Sequence, residues 1–386
     1  MKNKKSILVL VRDDASSTKT WSGIPFHIIR ILRDYGHEVE VLDNLGFPRS
    51  FYWRFRNYAG KLFPSLLPKY YSEISSKYYG EKVNKFLAKS TKSYDFILVV
   101  DFLEGILNVD TSIPILVYRD ASYALLNKLH YPGFESFDEK ALRLLLDLES
   151  KCLKKVDKML LTSDWAIKET KSFYPEIKGD KFFCQPFSSQ LYPPPEKSEW
   201  KLRRIDEQSS VKFLFVGRDW KRKGGDDTIS IITELHRMGV NVHLTVVGYK
   251  LKPNNLPFSC DVIENLDVSL DSDFERLKNL YLCSHFFILP TKVEAFGIVF
   301  SEAMSLGLPV VTRSVCATPE ILHDRVEGFL IKEGQSFYSV AQNLAELIKD
   351  QPRYEEMQKN ASKRFTERFH PKLWVDRLIE ISEKNL

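Results

Sequence analysis

Two carboxylates flank an apolar stretch in the sequence PTKVEAFGIVFSEAMSLGLP (290–309). Glu294 and Glu302 stand eight residues apart, with Gly297 between them. Carboxylates accept hydrogen bonds from hydroxyl groups, and a glycine at a helix start lets a ligand approach the backbone amides closely. If the helix begins near Gly297, those amides and the positive end of its dipole attract an anion. The segment therefore predicts a site for a ligand that carries hydroxyls on both sides of a phosphate-sized anion, such as a nucleotide sugar.

A basic loop with two glycines precedes another helical pattern in VGRDWKRKGGDD (216–227). A strand is expected to end at Gly217, and the loop that follows carries Arg218, Lys221, Arg222 and Lys223. Arginine can grip a phosphate with two parallel hydrogen bonds, and a helix start adds backbone donors. The loop therefore predicts a second part of an anion site. The alternative is a basic turn that only contacts solvent.

Several other chemistries lack a matching pattern. The first apolar run is followed by RDDASS rather than GxGxxG, which disfavours a nicotinamide or flavin enzyme. The chain has no GxxxxGK[ST] motif and no HExxH or paired His–Cys arrangement. We therefore expect no metal site and no cofactor other than the nucleotide sugar, which is a co-substrate.

Short apolar runs alternate with longer helical patterns along the whole chain, which is typical of βαβ units and parallel sheets. The expected strands of the first half are SILVLV (6–11), VEVLD (39–43), FILVVD (96–101), PILVYRD (114–120) and KMLLTS (158–163). Those of the second half are KFLFVG (212–217), VHLTVVG (242–248), HFFILP (285–290) and PVVT (309–312). The pattern predicts an α/β protein with two sheets.

The proline-rich segment QLYPPPEKSEWKLRR (190–204) has no apolar period and is the expected linker between the two halves. We predict an N-terminal domain over residues 1–195, completed by a C-terminal helix over 366–386. A second domain is predicted over 205–365.

The 290–309 segment resembles the E-x7-E signature of retaining GT-B glycosyltransferases, especially the family 4 group. The matching positions are Pro290, Glu294, Phe296, Gly297, Glu302, Ala303, Gly307, Pro309 and Val310. The 216–227 loop is similar to the same family's phosphate loop, with Arg218 and Lys223 at matching places. PEIL (319–322) and VEGFLI (326–331) resemble the continuation of that pattern. The resemblance implies two Rossmann-like parallel-sheet domains that face each other across a cleft.

The resemblance also implies roles for individual residues. Arg218 and Lys223 would bind the donor diphosphate and stabilise it as a leaving group, as front-face attack with retention requires. Glu302 would bind the ribose hydroxyls, and Glu294 would lie near the hydroxyls of the donor sugar. Gly217 and the amides of Phe296, Gly297, Ile298 and Val299 would complete the donor site.

The first half resembles the family less closely. WSGIPFHIIRILRDYGHEVEVLD (21–43) is similar to its glycine loop and first helix, with Gly23 in place of two glycines. Many members carry a histidine at the end of the fourth strand, where this chain reads YRDAS (118–122). Gly23 and Arg119 are predicted on the acceptor side, and Asp120 joins Glu294, Arg218 and Lys223 as a predicted catalytic residue.

Composition indicates which classes of ligand and which cellular location to expect. A net charge of +5 on 386 residues does not indicate a nucleic-acid binder, but it suits anionic substrates or an anionic membrane surface. The five cysteines have no metal-site spacing, and their odd number favours reduced thiols in a cytoplasmic protein. No run approaches the roughly 18 apolar residues that span a bilayer. The aromatic, basic segment 51–82 is either a helical insertion that buries its aromatics or a surface for a membrane-side acceptor.

The sequence thus predicts a transfer of sugar from a UDP- or GDP-linked donor to a saccharide, lipid-linked or protein acceptor. Synthesis of a cell-surface polysaccharide or glycoconjugate is the expected context. A non-catalytic nucleotide-sugar-binding scaffold on the same fold is the alternative, supported by the unusual YRDAS sequence. An epimerase acting on a nucleotide sugar would need a different set of acids and a histidine.

Overall fold

A computed structural model describes residues 4–46, 73–134, 137–195, 201–206, 208–250 and 256–384. The chain divides into two compact units. The first contains Met1–Gln185 and Val375–Leu386, and the second contains Pro186–Trp374. Each unit is built around one parallel sheet of six strands.

The sheet of the first unit has the strand order β2-β1-β3-β4-β5-β6. Its strands are β1 (Ser6–Val11), β2 (Glu38–Leu42), β3 (Phe96–Val100), β4 (Ile115–Arg119), β5 (Lys158–Leu161) and β6 (Phe182–Cys184). The helices along this part of the chain are α1 (Ile24–Asp34), α2 (Glu73–Leu87), α3 (Tyr123–Lys128), α4 (Glu139–Lys155) and α5 (Asp164–Phe173). Every residue of three of the four inner strands, β3, β4 and β5, is buried, as expected for a parallel sheet covered on both faces.

The sheet of the second unit has the order β12-β11-β10-β7-β8-β9. Its strands are β7 (Val211–Val216), β8 (Val242–Val247), β9 (Ser259–Ile263), β10 (Phe286–Leu289), β11 (Val310–Arg313) and β12 (Gly328–Ile331). The helices that follow are α6 (Gly225–Arg237), α7 (Asp271–Cys283), α8 (Ile298–Ser305), α9 (Thr318–Ile321), α10 (Phe337–Lys349), α11 (Gln351–Arg364) and α12 (Pro371–Glu383).

Both sheets have a point where the strand order reverses, and ligands of open α/β sheets bind there, outside the carboxyl ends of the strands. In the second sheet this point lies between β7 and β10, the first and fourth strands of a Rossmann-type order. In the first sheet it lies between β1 and β3. The strand order therefore marks one candidate ligand position in each unit.

Six of the helix starts are of two kinds. Ser122, Asp138 and Ser163 cap α3, α4 and α5 by accepting a hydrogen bond from a first-turn amide. In contrast, α1, α6 and α8 begin after a left-handed glycine that offers no side-chain cap. In α1 the Ile24 amide donates to the Trp21 carbonyl and Pro25 has no N–H, and in α6 the Gly225 amide donates to the Trp220 carbonyl (2.8 Å), so α8 is the helix of the three whose first amides remain available to a ligand.

Several expectations are revised by the structure. The sequence pattern did not predict the strands β6, β9 and β12, which all lie at sheet edges, where an apolar pattern is weak. The expected linker is not free over its last residues, because the Arg203 guanidinium donates hydrogen bonds to carbonyls at the carboxyl ends of α7 and α8. The helix expected over 366–386 is observed as α12, which begins in the second unit and ends in the first.

Only part of the aromatic segment 51–82 can be compared with its prediction. Residues 51–72 lie outside the described residues, and 73–82 belong to α2, where Tyr79 is fully buried. Among the described residues, no helix combines the length and apolar character needed to cross a membrane.

Candidate functional site

Two loops meet at the switch point of the second sheet. One follows β7 and the other follows β10, and they are joined at Arg222. The Arg222 carbonyl accepts hydrogen bonds from the Lys292 amide (2.8 Å) and the Thr291 hydroxyl (3.2 Å). The Arg222 guanidinium in turn donates to the Val293 carbonyl (3.0 Å). These contacts fix the positions of the side chains on both loops.

Two glycines make this close approach possible. Gly224 is left-handed (φ 74°), and a Cβ on it would lie 2.1 Å from the Pro290 carbonyl oxygen. A Cβ on Gly225 would lie 2.0 Å from the ring of Trp220. Trp220 is buried, and its indole N–H donates to Asp226 (2.7 Å). Gly224 therefore lets the loop approach the 290–294 segment, and Gly225 lets Trp220 pack against the start of α6.

The predicted residues Lys223 and Glu294 are brought into direct contact. The Lys223 ammonium forms an ion pair with the Glu294 carboxylate, and Arg222 Nη1 lies 3.5 Å from the same carboxylate oxygen. The Glu294 side chain is 6% exposed, so its charge is balanced by two cations in a nearly dry position. Arg222 had been noted only as part of a basic loop, and its contact with Glu294 spans 72 positions, so no local pattern could predict it.

Arg218 and Gly217 lie directly after β7. Arg218 is exposed, and its guanidinium makes no hydrogen bond or ion pair within the described part of the chain. A Cβ on Gly217 would lie 3.2 Å from the Lys223 side chain, so the glycine leaves room for Lys223 beside the strand end. Arg218 is thus a cation at the switch point with its donors still available.

The start of α8 has the geometry expected of an anion site. Gly297 is left-handed (φ 89°), and the first turn after it, which includes Ile298 and Val299, contains no acidic residue. In contrast, α6 carries Asp226 and Asp227 in its first turn, and their charges oppose a bound anion there. The start of α8 is therefore the better anion-binding helix end of the two.

Phe296 anchors the loop that leads to this helix. Its side chain is buried and packs edge-on against Phe187 and Phe369, with ring centroids 5.3 Å and 6.0 Å away. The side chain is thus part of the core, and only the backbone of Phe296 can take part in the predicted donor site.

Glu302 lies inside α8 and is buried. The Tyr281 hydroxyl donates to Glu302 Oε2 (2.9 Å). Burial raises the pKa of Glu302 to about 7, although the hydrogen bond from Tyr281 opposes this change. Its carboxyl group therefore changes charge near neutral pH. Tyr281 comes from α7 and was not singled out by the sequence analysis, because a tyrosine at an apolar helix position indicates core packing.

The residues predicted in the first unit have different surroundings. Arg119 is 2% exposed, and its guanidinium lies between Asp101 and Glu149, 3.8 Å from an oxygen of each. It also stacks 3.9 Å above the ring of Tyr123. These charges raise the pKa of Arg119, although its burial opposes the change. Arg119 is therefore an interior residue of this unit.

Asp120 and Gly23 occupy carboxyl-edge positions of the first sheet. Asp120 is half-buried directly after β4, and its carbonyl accepts a hydrogen bond from the Thr162 hydroxyl (3.2 Å). Gly23 is buried and left-handed (φ 79°), and α1 begins after it. Glu294, Lys223, Gly217 and Gly297 thus cluster in the second unit, whereas Gly23, Arg119 and Asp120 belong to the first.

Comparison with solved structures identifies the architecture. The structure of WaaG, a glycosyltransferase involved in lipopolysaccharide biosynthesis, has a TM-score of 0.64 at 18% identity, over 98% of this chain and all of that one. HepE of Anabaena, solved in complex with UDP, has a TM-score of 0.61 at 15% identity, over 97% of this chain and 98% of that one. The protein has the GT-B fold of glycosyltransferases.

Sequence comparison matches the second half of the chain to a known family. Residues 198–364 match the model described as Glycosyl transferases group 1. The capsular polysaccharide biosynthesis glycosyltransferase CapM of Staphylococcus aureus is 29% identical over 175 residues, which are 45% of this chain and 46% of that protein. The lipopolysaccharide glucosyltransferase WaaG of Escherichia coli is 29% identical over 193 residues, 46% of this chain and 50% of that protein. The alignments thus span about half the length of these curated relatives.

Proposed function

We propose that the protein is a retaining glycosyltransferase of family 4 that transfers a sugar from a UDP- or GDP-linked donor. The acceptor is a saccharide, a lipid-linked glycan or a protein, in the synthesis of a cell-surface polysaccharide or glycoconjugate. The observation that carries the proposal is the Lys223–Glu294 ion pair at the switch point, beside the exposed Arg218 and the uncapped start of α8. The similarity to CapM and WaaG supports the same class of activity.

The donor site is proposed to use both charges of the cluster. The diphosphate binds to Arg218, Lys223 and the first amides of α8, where cations and helix dipole both favour an anion. Glu294 holds Lys223 in place before the donor binds and accepts hydrogen bonds from the donor sugar. Glu302 accepts hydrogen bonds from the ribose hydroxyls once it is ionised.

The transfer step is proposed to depend on leaving-group stabilisation. As the glycosidic bond breaks, negative charge grows on the diphosphate, and Arg218 and Lys223 neutralise it without rearrangement. The acceptor hydroxyl attacks from the same face and passes its proton to the departing diphosphate oxygen, which gives retention, with Asp120 proposed as a catalytic residue of the first unit. The proposal needs no divalent cation.

A binding experiment tests the donor site. UDP, GDP and ADP are added to the wild type, Arg218→Ala and Lys223→Ala, and thermal unfolding is followed. One nucleotide at 100 times its Kd stabilises the wild type by about 2.7 kcal/mol, and both variants lose most of this effect. Lys349→Ala, which removes an exposed lysine at the end of α10, serves as the control and keeps it. Nucleotide binding without consumption of any donor sugar would favour the non-catalytic scaffold. If Lys223→Ala bound the nucleotide as tightly as the wild type, the proposed donor site would be refuted.

Two parts of the sequence prediction remain predictions. A cytoplasmic location and a membrane contact through 51–82 are consistent with a lipid-linked acceptor. Flotation of the purified protein with vesicles that contain anionic lipid would test the membrane contact.

A further inference from the structure

The switch point of the first sheet contains a cavity of about 90 Å³. Val11, Arg12 and Asp13 line it at the end of β1, and Val100 and Asp101 line it at the end of β3. Thr20, Trp21 and Pro25 complete the lining from the segment before α1 and its first turn. Strand order alone marks this position as a ligand site of an open α/β sheet.

The backbone around the cavity is strained. Asp101 has a φ of 69°, Trp21 a φ of 41° and Ser22 a φ of 57°, although none of them is glycine. A bulky residue such as tryptophan rarely adopts the left-handed region, and such residues persist where the surrounding structure holds them for function. Trp21 is positioned by an edge-on contact with Tyr118, with ring centroids 6.4 Å apart.

The Asp101 carboxylate can still accept hydrogen bonds. Its ion-pair partner is Arg119, whose Nε lies 3.8 Å from Asp101 Oδ1, beyond hydrogen-bonding distance, and the charges of Arg12 and Asp13 act on it from farther away. No donor within the described part of the chain reaches this carboxylate, and its side chain is 28% exposed. Arg119 Nε and Nη1 are buried without hydrogen-bond partners, so Arg119 supplies charge behind Asp101 while the carboxylate oxygens remain open.

The other charges of the lining disfavour an anionic ligand. The Arg12 guanidinium already lies between two carboxylates, 3.2 Å from Asp13 and 3.4 Å from Glu104. Arg12, Asp13 and Asp101 together leave one excess negative charge on the lining. A neutral ligand that donates hydroxyl groups suits this surface, and an aromatic ring such as Trp21 suits the apolar face of a sugar.

We propose that this cavity binds the hydroxyl-bearing end of a neutral sugar in the acceptor, with Asp101 accepting hydrogen bonds from its hydroxyls. The inference rests on the proposed glycosyltransferase function and adds that the acceptor end is uncharged. It makes Asp101 a specificity-determining residue, positioned by Arg119.

The test uses the full chain, saturated with the nucleotide that it binds, and follows ligand binding by saturation-transfer NMR. The probes are methyl glycosides of neutral hexoses and of the corresponding hexuronic acids. The wild type is expected to bind a neutral glycoside at least tenfold more tightly than its uronic acid. Asp101→Asn is expected to lower the affinity for the neutral glycoside at least tenfold. Asp110→Asn, the same change at an exposed aspartate before β4, is expected to leave this affinity unchanged.

A purely structural role for Asp101 predicts different results. If Asp101 only balanced the charge of Arg119, Asp101→Asn and Asp101→Gly would lower the Tm, because Arg119 would keep only Glu149 nearby, but the folded variants would bind the neutral glycoside as the wild type does. We expect both variants to fold, since asparagine and glycine tolerate the left-handed backbone, and to bind the glycoside more weakly than the wild type. Unchanged glycoside binding by these two variants, preference for the uronic acid, or no glycoside binding at all would overturn the inference. Nucleotide binding in the same samples tests the proposed function separately.

Discussion

The two carboxylates of the 290–309 segment have different partners, which gives them different electrostatic properties. Glu294 is neutralised by Lys223 and Arg222, whereas Glu302 has only the neutral hydroxyl of Tyr281. Glu302 therefore holds a proton near neutral pH, because no cation offsets its burial. The charge of Glu302 is therefore set by pH in the range where the protein would work.

Glu302 should make both stability and nucleotide affinity depend on pH. Its pKa is 4.5 in the unfolded chain and about 7 in the native protein, so the native state keeps the proton longer. The free energy of unfolding should therefore fall as pH rises from about 4.5 to about 7 and then level off. Nucleotide affinity should rise between pH 6 and 8, as the carboxylate forms that accepts from the ribose.

Glu302→Gln tests this expectation by denaturant unfolding and nucleotide titration across pH 5 to 8. We expect the variant to flatten both pH profiles and to be more stable than the wild type at pH 8. Glu346→Gln, which changes an exposed carboxylate on α10, should leave both profiles as they are. Wild-type pH profiles in Glu302→Gln would contradict the assignment.

At the scale of the elements, Gly224 joins the two loops of the donor site. Gly224→Ala should cost about 3 kcal/mol of unfolding free energy, the sum of a left-handed alanine and overlap with the Pro290 carbonyl. Gly239→Ala is the matched control. Gly239 is also left-handed (φ 86°), but a Cβ there meets nothing within 4 Å, so the cost should be only about 1 kcal/mol. Equal losses in chemical denaturation would show that the loop contact does not matter.

Arg203 ties the end of the predicted linker 190–204 to two helices of the second unit. Its guanidinium donates to the carbonyls of Tyr281 and Leu282 at the end of α7, and of Leu306 and Gly307 after α8. Arg203→Ala removes a cation from two helix carboxyl ends and leaves their carbonyls without donors. We expect a loss on the order of 3 kcal/mol in denaturant unfolding.

The neighbouring arginine provides the control for this change. The Arg204 side chain is 83% exposed and has one ion pair, with Glu355 at 3.6 Å. Arg204→Ala should therefore change stability by less than about 0.5 kcal/mol. If Arg203→Ala were as stable as Arg204→Ala and the wild type, the contacts of Arg203 would not hold the end of the predicted linker 190–204 in place.

For the whole molecule, the sequence predicts the inner strands better than the edges. β3, β4 and β10 are buried throughout, so their apolar runs are unbroken. β9 is an edge strand with no fully buried residue, and its sequence SCDVI shows no clear pattern. The donor residues were predicted from motif spacing, and Glu294 and Lys223 do meet. The partners Arg222 and Tyr281 could not be predicted, because their contacts join distant parts of the chain.

The first sheet shows the same limit. Gly23 stands at a helix start and Asp120 at a strand end that the sequence marks, and the catalytic role of Asp120 stays a prediction. Asp101 carries no sequence signal, because an aspartate after a strand is common. Its left-handed backbone and its open carboxylate can be recognised only in the structure, where β1 and β3 are paired.

The most direct test of the central claim is to follow donor consumption by NMR with a panel of UDP- and GDP-linked sugars. One donor is expected to be consumed with water or a neutral glycoside as acceptor, and the product first formed is expected to keep the anomeric configuration of the donor. Turnover should persist in EDTA and fall about 100-fold or more in Lys223→Ala. A product of inverted configuration, or a folded protein that consumes none of these donors, would contradict it.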